Sequence, residues 1–154
     1  MNQKTRTGNK IRIIFLCTAN SCRSQMAEGF ARHLGGKIIE AQSAGLFSHY
    51  VQPKAIEVMQ EVGIDISGQK SEAIDYDVLN SMDILITLCD HAEASCPATP
   101  PHIRRIHWPV RDPVGAMGTE EEIMDDFRRA RDEIRAKIEE FIEDIKAMPS
   151  NQKI

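Results

Sequence analysis

The feature that most constrains the fold of this chain is the segment at residues 16–24, Leu-Cys-Thr-Ala-Asn-Ser-Cys-Arg-Ser. It follows an apolar, β-branched run at residues 11–16 and precedes apolar residues at helical spacing over residues 25–34. The run predicts a buried parallel strand, and the spacing predicts a helix. The segment between them is therefore a strand-to-helix turn, in which backbone N–H groups and the positive end of the helix converge on an anion.

The same alternation of strand and helix patterns continues along the chain. Further strands are predicted at residues 37–41, 83–88 and 105–110, and helices at residues 53–63, 71–82 and 119–145, the last with a capping box. Residues 89–101 contain three prolines and are interpreted as a loop or a short irregular helix. Strands that alternate with helices imply right-handed crossovers in one parallel sheet. We therefore expect an α/β fold, a single domain with a four-stranded parallel sheet flanked by helices on both faces.

Length, composition and charge narrow the class of protein. A chain of 154 residues suits one core, so we assign residues 11–148 to a single catalytic domain and residues 1–10 and 149–154 to flexible tails. The net charge of -4 argues against nucleic acid or an anionic membrane as the main partner. No apolar run reaches the ~18 residues of a bilayer span, and the N-terminus lacks the apolar segment of a secretion signal. We expect a cytoplasmic protein, and a monomer, because the charges on the final helix indicate a solvated face.

Three reactive side chains follow predicted strands. Cys17, Cys89 and Asp112 each come after a strand pattern ends. In open parallel sheets the binding site lies at the carboxyl ends of the strands. The site is therefore predicted around these three residues.

The turn carries the groups that a thiolate nucleophile needs beneath a tetrahedral oxyanion. A thiol at a helix N-terminus beside an arginine ionises more readily than a free thiol, which favours Cys17 as the nucleophile. Arg23 offers a planar fork for two oxygens, Ser24 is placed to donate a hydrogen bond to the sulfur, and Asn20 suits a left-handed kink. A merely buried cysteine would not explain these neighbours. The candidate substrate-binding residues are Thr18, Ala19, Asn20, Ser21, Cys22, Arg23 and Ser24.

The other cysteines allow several interpretations. In a reducing compartment, four cysteines do not suggest a permanent disulfide framework. Cys22 has no evident partner and is interpreted as a packing residue. A zinc site at Cys89, His91 and Cys96 competes with a catalytic role, but the gap between these cysteines is wider than in usual zinc pairs. We therefore expect no metal site and no tightly bound cofactor.

Several short motifs together indicate a family. They are Cys-Thr-Ala-Asn-Ser-Cys-Arg-Ser-Gln-Met-Ala-Glu-Gly from Cys17, Ser43-Ala44-Gly45, Pro53-Lys54-Ala55-Ile56, Ile64-Asp65-Ile66-Ser67, Thr87-Leu88-Cys89, Cys96-Pro97, His107-Trp108, Asp112-Pro113 and Arg131-Asp132-Glu133-Ile134. In this combination, residues 11–141 resemble the thioredoxin-coupled arsenate reductases, which share the low-molecular-weight tyrosine phosphatase fold. The resemblance implies arsenate as the substrate and thioredoxin as the reductant.

The resemblance also implies a relay through three cysteines. Cys17 attacks the arsenic of bound arsenate while Asp112, as a general acid, protonates the departing oxygen. Cys89 then attacks Cys17 and releases arsenite, and Cys96 attacks Cys89 to form a disulfide that thioredoxin reduces. Because a disulfide requires Cα atoms roughly 4.4–6.8 Å apart, residues 89–97 are predicted to have few contacts and to rearrange on oxidation.

The chain departs from the family pattern in two places. Arg111 stands where members often have an acidic residue, and a cation there would favour the charged form of Asp112 and oppose its role as an acid. Some members also carry a potassium site, and potassium dependence stays open here. Asn20, Glu28 and Ser43 match that site, but Glu72 replaces an expected aspartate.

Two other functions remain open from the sequence. A low-molecular-weight phosphotyrosine phosphatase needs only Cys17, Arg23, Ser24 and Asp112. Such phosphatases usually place aromatic residues after the Asp-Pro pair, whereas this chain continues Val-Gly, and they do not need the second cysteine pair. A thiol redox sensor or arsenic-binding protein would use the same three cysteines without turnover.

Overall fold

The computed structural model describes residues 10–149, so the tails expected at residues 1–10 and 149–154 lie outside the described residues, apart from one residue of each. The elements of the described chain are β1 (Ile11–Cys17), α1 (Arg23–Gly35), β2 (Ile39–Gly45), α2 (Pro53–Gln60), α3 (Tyr76–Asn80), β3 (Ile84–Thr87), α4 (Asp90–Ser95), β4 (Arg104–His107) and α5 (Glu120–Ala147). None of the helices in the described chain has the length and apolarity that a membrane span requires.

The four strands form one parallel sheet in the order β2-β1-β3-β4. β1 and β3 are buried along their whole length, as expected of central strands covered on both faces. β4 lies at an edge, where the exposed Arg104 and Arg105 discourage pairing with another chain. The predicted α/β domain with a four-stranded parallel sheet is confirmed, and its topology brings the carboxyl ends of β1, β3 and β4 together.

One hydrophobic core joins the sheet to the helices. α1 and α5 pack against each other, and α2 packs against α5. The Trp108 ring lies between Phe15 of β1 and Phe141 of α5, with ring centroids 6.4 and 5.6 Å away. α5 begins at the predicted capping box, in which the Thr119 hydroxyl accepts the N–H of Glu122 and the Glu122 carboxylate accepts the N–H of Thr119. The apolar face of α5, from Met124 to Ile145, is buried in the core.

Several predicted elements have different bounds, and α2 ends at Gln60 rather than at residue 63. β2 covers Ile39–Gly45 rather than residues 37–41, because its polar and small second half pairs with β1 as far as Cys17. The helix predicted at residues 71–82 is only the five-residue α3. The chain before it is extended, Ala73 bridges to Gly45, and the Asp75 carboxylate caps the helix by accepting two backbone N–H groups.

β4 is also shorter than predicted, ending at His107 rather than at residue 110. The backbone N–H groups of Trp108 and Val110 still donate to carbonyls at the end of β3, at 2.8 and 3.0 Å. Pro109 between them has no N–H to continue the ladder. The chain beyond β4 therefore stays next to β3 and leads Asp112 towards the end of β1.

Candidate active site

The turn after β1 leaves its backbone N–H groups without acceptors in the described part of the chain. The carbonyl oxygens of residues 18–22 accept hydrogen bonds from outside the turn, namely from the N–H groups of Met26, Leu46, Phe47 and Gln52 and from the side chains of Gln25 and Ser71. Within residues 10–149, nothing accepts a hydrogen bond from the N–H groups of residues 18–22. Since the carbonyl groups are held outside the turn, its N–H donors remain available to an oxyanion.

Asn20 and Gly45 hold the turn in this shape. Asn20 is the one non-glycine residue with positive φ in the described chain, at 50°. This confirms the left-handed kink that the sequence predicted at this asparagine. Its side-chain oxygen accepts the N–H of Glu72 at 2.8 Å. A Cβ on Gly45 would lie 2.6 Å from the Asn20 nitrogen, so the close approach of β2 to the turn requires glycine.

A chain of two hydrogen bonds reaches the sulfur of Cys17. Asn20 Nδ2 donates to Ser24 Oγ at 2.8 Å, and Ser24 Oγ lies 2.9 Å from Cys17 Sγ. No other acceptor of this hydroxyl lies in the described chain, so its proton is available to a thiolate at Cys17. The buried Cys17 thus has the serine donor that the sequence predicts for a thiolate, and its role as nucleophile stays a prediction.

The guanidinium of Arg23 contacts two residues of the chain that follows β4. Its Nη1 donates to the Val110 carbonyl at 2.9 Å, and its Nη2 lies 3.3 Å from Asp112 Oδ2. Its buried Nε has no acceptor among the described residues. Asp112 Oδ1 accepts the N–H of Val114 at 2.9 Å. The guanidinium therefore sits at the turn with a donor to spare for an oxyanion, and the carboxyl group of Asp112 lies beside it.

Arg111 does not act on Asp112 in the way that the sequence suggested. Its guanidinium pairs with Asp126 of α5, with Nη2 2.8 Å from Oδ1. Hydrogen bonds from Arg129 first, and then from Arg111, hold the pKa of Asp126 below its usual range. The cation that contacts Asp112 is Arg23, so the expected conflict between a cation and the general acid passes from Arg111 to Arg23.

Seven of the predicted site residues line one cavity of about 280 Å³, namely Cys17, Thr18, Ala19, Ser21, Cys22, Arg23 and Asp112. Cys89 and Cys96 are not part of its lining. The sequence missed the rim, which is formed by Phe47, His49, Gln52 and Val114. These residues belong to no motif, and only the distant pairing of β2 with β1 brings the first three to the turn. Asn20 and Ser24 lie fully buried behind the cavity wall.

Cys89 lies beside the turn, and Cys96 lies at the far end of α4. Cys89 is buried, and its Sγ is 3.3 Å from both Thr18 Oγ1 and the backbone nitrogen of Ala92. Cys96 is half-buried, and burial raises the pKa of its thiol. All four cysteines are free thiols. Burial also raises the pKa of Cys22, in line with its interpretation as a packing residue.

The segment between Cys89 and Cys96 is a short helix, α4, within the predicted loop or irregular helix. As predicted, it makes few contacts with the rest of the fold, and most of its residues are exposed. Three side-chain hydrogen bonds connect it to the sheet. Thr87 Oγ1 donates to Glu93 at 2.7 Å, His107 Nδ1 lies 2.8 Å from Thr87 Oγ1, and His107 Nε2 lies 2.9 Å from Asp90. The rearrangement on oxidation stays a prediction, and His107 has a polar role that the sequence did not reveal.

Among the residues that matched a potassium site, Glu28 contacts a side-chain cation. Ser43 Oγ donates to Glu28 Oε1 at 2.5 Å, and the Arg32 guanidinium lies 2.6 Å from Glu28 Oε2. Burial raises the pKa of Glu28, while Ser43 and Arg32 oppose that shift. Glu72 meets Asn20 through its backbone. In the described part of the chain, no three histidine, cysteine or acidic side chains are grouped to hold a metal ion.

Comparisons with known proteins agree with this geometry. The family model for low molecular weight phosphotyrosine protein phosphatases matches residues 12–151. An arsenate reductase of Bacillus subtilis (strain 168) is 53% identical over 135 residues, which cover 88% of this chain and 96% of that protein. The solved structure of an arsenate reductase in the phosphate-binding state aligns with a TM-score of 0.70 and 37% identity, covering 88% and 98% of the two chains. A low molecular weight protein tyrosine phosphatase from T. tengcongensis aligns with a TM-score of 0.72 and 27% identity, covering 88% and 99%.

Proposed function

Since the chain belongs to the low molecular weight phosphotyrosine protein phosphatase family, we propose that it performs the reaction for which its relatives at about half identity are named. It is an arsenate reductase, an oxidoreductase that converts arsenate to arsenite and serves arsenic detoxification. The observation that carries this assignment is the position of Cys89. Its sulfur lies 3.3 Å from Thr18 in the wall of the oxyanion cavity, where a phosphatase needs no second thiol.

The first step uses the turn and Asp112. Arsenate binds to the free N–H groups of the turn and to the guanidinium of Arg23, which together neutralise its charge. Cys17 Sγ attacks arsenic, and Asp112 gives its proton to the oxygen that leaves as water. The guanidinium of Arg23 and the carboxyl group of Asp112 lie 3.3 Å apart in the lining of the cavity, which supports these roles for the two residues.

The following steps move two electrons from thiols to arsenic. Cys89 attacks the sulfur of Cys17, the sulfur–arsenic bond breaks, and its electron pair leaves with arsenite. Cys96 attacks Cys89 in turn, and Cys17 departs as a thiolate. The dithiol of thioredoxin then reduces the Cys89–Cys96 disulfide. In this proposal the protein acts as a monomer in the cytoplasm, a compartment that keeps these thiols reduced.

The chain needs no bound potassium in this proposal. Arg32 places a positive charge against the buried Glu28, which is the group that a cation would otherwise neutralise. Rates of arsenate reduction are expected to agree within about twofold in potassium and sodium buffers of equal ionic strength. A several-fold activation by potassium would contradict this use of Arg32.

A coupled assay tests the proposed function. NADPH oxidation is followed with arsenate, thioredoxin and thioredoxin reductase, beside hydrolysis of an aryl phosphate by the same preparation. Sustained arsenate-dependent oxidation, abolished by Cys17→Ser, supports the reductase. Fast aryl phosphate hydrolysis without arsenate-dependent oxidation would support a phosphatase instead, and thiol oxidation without turnover would support a sensor.

A further inference from the structure

His107 joins the end of the sheet to the helix between the two resolving cysteines. It is the last residue of β4 and pairs with Thr87 at the end of β3. Its ring reaches Thr87 Oγ1 through Nδ1 at 2.8 Å and Asp90 Oδ1 through Nε2 at 2.9 Å. Thr87 also donates to Glu93 at 2.7 Å. These hydrogen bonds hold α4 at its first residue, Asp90, and one turn later at Glu93. None of these side chains has a part in the proposed reaction with arsenate.

The contact between His107 and Asp90 is a hydrogen bond to a charged acceptor. His107 Nε2 donates to the Asp90 carboxylate at 2.9 Å. At the other side of the ring, Nδ1 shares the Thr87 hydroxyl with Glu93 and the Ile106 carbonyl, which lie 2.7 and 3.4 Å from Thr87 Oγ1. The acidic groups in this network are Asp90 and Glu93, and β3 contributes a neutral hydroxyl.

The geometry of α4 opposes the disulfide that the relay requires. Cys89 and Cys96 flank the helix at its two ends. Seven residues at about 1.5 Å per residue separate their Cα atoms by about 10 Å along the helix axis. A disulfide allows only roughly 4.4–6.8 Å, so α4 must lose its helical form when Cys89 and Cys96 join. A contact that exists only while α4 is helical therefore stabilises the dithiol form of Cys89 and Cys96 relative to their disulfide.

We propose that His107 is a positioning residue of the relay, which holds α4 in the reduced form through Asp90 and Thr87 and gives way when the disulfide moves outward. The inference rests on the proposed function for its redox sequence. In the step concerned, the Cys96 thiolate attacks Cys89 Sγ, the Cys89–Cys17 bond breaks, and the electron pair leaves on Cys17. Loss of the His107 contact removes stabilisation from the dithiol form alone, which makes the Cys89–Cys96 disulfide harder to reduce.

The size of the effect follows from exposure. Asp90 is 92% exposed, so its pair with His107 is worth no more than a surface ion pair. We expect the equilibrium constant between dithiol and Cys89–Cys96 disulfide to shift two- to fivefold towards the disulfide when the pair is broken. Cys89 Sγ lies 3.3 Å from Thr18 Oγ1 of the turn while α4 is still held by His107. The rate of arsenite formation in the first turnover is therefore expected to stay within about twofold.

The test is a redox equilibrium in a double-mutant cycle. Wild type, His107→Asn, Asp90→Ala and the double variant are equilibrated with mixtures of reduced and oxidised dithiothreitol, and the Cys89–Cys96 disulfide is quantified by alkylation and peptide mass spectrometry. His91→Asn is the matched control, because His91 is an exposed histidine on α4 without a hydrogen bond in the described chain. Asp90→Asn, which keeps the side-chain shape, serves as a second variant if Asp90→Ala does not fold.

The expected result is a two- to fivefold shift in each single variant, no further shift in the double variant, and none in His91→Asn. Non-additivity is the signature of a direct pair, whereas a general loss of structure would add. Single variants that match wild type, or shifts that add in the double variant, would overturn the role of His107. A wild type that equilibrates normally but never turns over arsenate would refute the proposed function and leave this contact intact.

Discussion

At the scale of single residues, the proposed reactivity of Cys17 rests on a serine that an asparagine holds in place. Asn20 donates to Ser24, whose hydroxyl proton has no other acceptor among the described residues and is available to the sulfur. The left-handed backbone of Asn20 places this amide, and no other residue in the described chain except glycine adopts such a φ. The same asparagine therefore shapes the turn and holds the serine beside the sulfur.

Removal of that donor gives the first prediction. Ser24→Ala takes away a hydrogen bond to an anionic sulfur, of the kind worth about 1.5–3 kcal/mol. We expect kcat/KM for arsenate to fall by about tenfold or more, measured in the coupled assay, with the fold unchanged by circular dichroism. A variant as active as wild type would mean that Ser24 does not stabilise the thiolate.

Two adjacent charges near the cavity give the second prediction. Asp112→Asn removes the proposed acid and is expected to lower kcat by about 10²–10⁴-fold. Arg111→Gln changes the neighbouring residue, but its guanidinium is bound to Asp126 and not to Asp112, so kcat is expected to stay within about twofold. Equal losses in both variants would contradict the separation of Arg111 from the acid.

The sequence predicted the residues of the turn better than their surroundings. Cys17, Asn20, Arg23 and Ser24 lie within eight positions, so local chain geometry relates them. The partner of Arg111 lies 15 residues away on another element, and sequence spacing contains no sign of it. For the same reason the rim of the cavity emerged only from the fold, whereas the ion pair of Arg32 with Glu28 has the i,i+4 spacing of a helix and could have been predicted.

At the scale of elements, the errors of prediction have a common cause. The second half of β2 is polar and small, and residues 71–75 carry a weak helical pattern. In both places the local sequence does not favour extended structure. The second half of β2 is nevertheless extended because it pairs with β1, and the chain near Ala73 is extended because it bridges to Gly45. The central strands and α5 were predicted closely, because their burial gives long and regular apolar patterns.

The ion pairs that tie α5 to the loop of Asp112 give the third prediction. Because the folded-state pKa of Asp126 is lowered, the unfolded chain binds a proton more readily, and the stability from this group is lost as pH falls below about 4. Asp126→Asn is expected to lower the free energy of unfolding by about 1 kcal/mol at pH 7 and by much less at pH 3.

Urea denaturation at the two pH values measures this difference. Asp144→Asn, on an exposed position of the same helix, is the matched control and is expected to change stability little at either pH. If Asp126→Asn destabilises the protein equally at pH 7 and pH 3, its role is not that of a charged partner.

At the scale of the whole molecule, the parallel sheet explains how one loop can serve two kinds of chemistry. β1 delivers the oxyanion turn, β3 delivers Cys89, and the chain after β4 delivers Asp112. The turn and the acid alone would suffice for phosphate transfer. The thiol at the end of β3 adds a route for electrons, and α4 connects that route to a second thiol at the half-buried Cys96.

Arsenite released by Cys96→Ser without thioredoxin is the measurement that tests this account most directly. With Cys17 and Cys89 intact, one turnover can finish, but the Cys17–Cys89 disulfide has no thiol to pass to. Rapid quench is expected to show about one arsenite per enzyme, then a stall, with that disulfide found by mass spectrometry. Continued arsenite formation by the variant in the full thioredoxin system, at the wild-type rate, would contradict the three-cysteine relay.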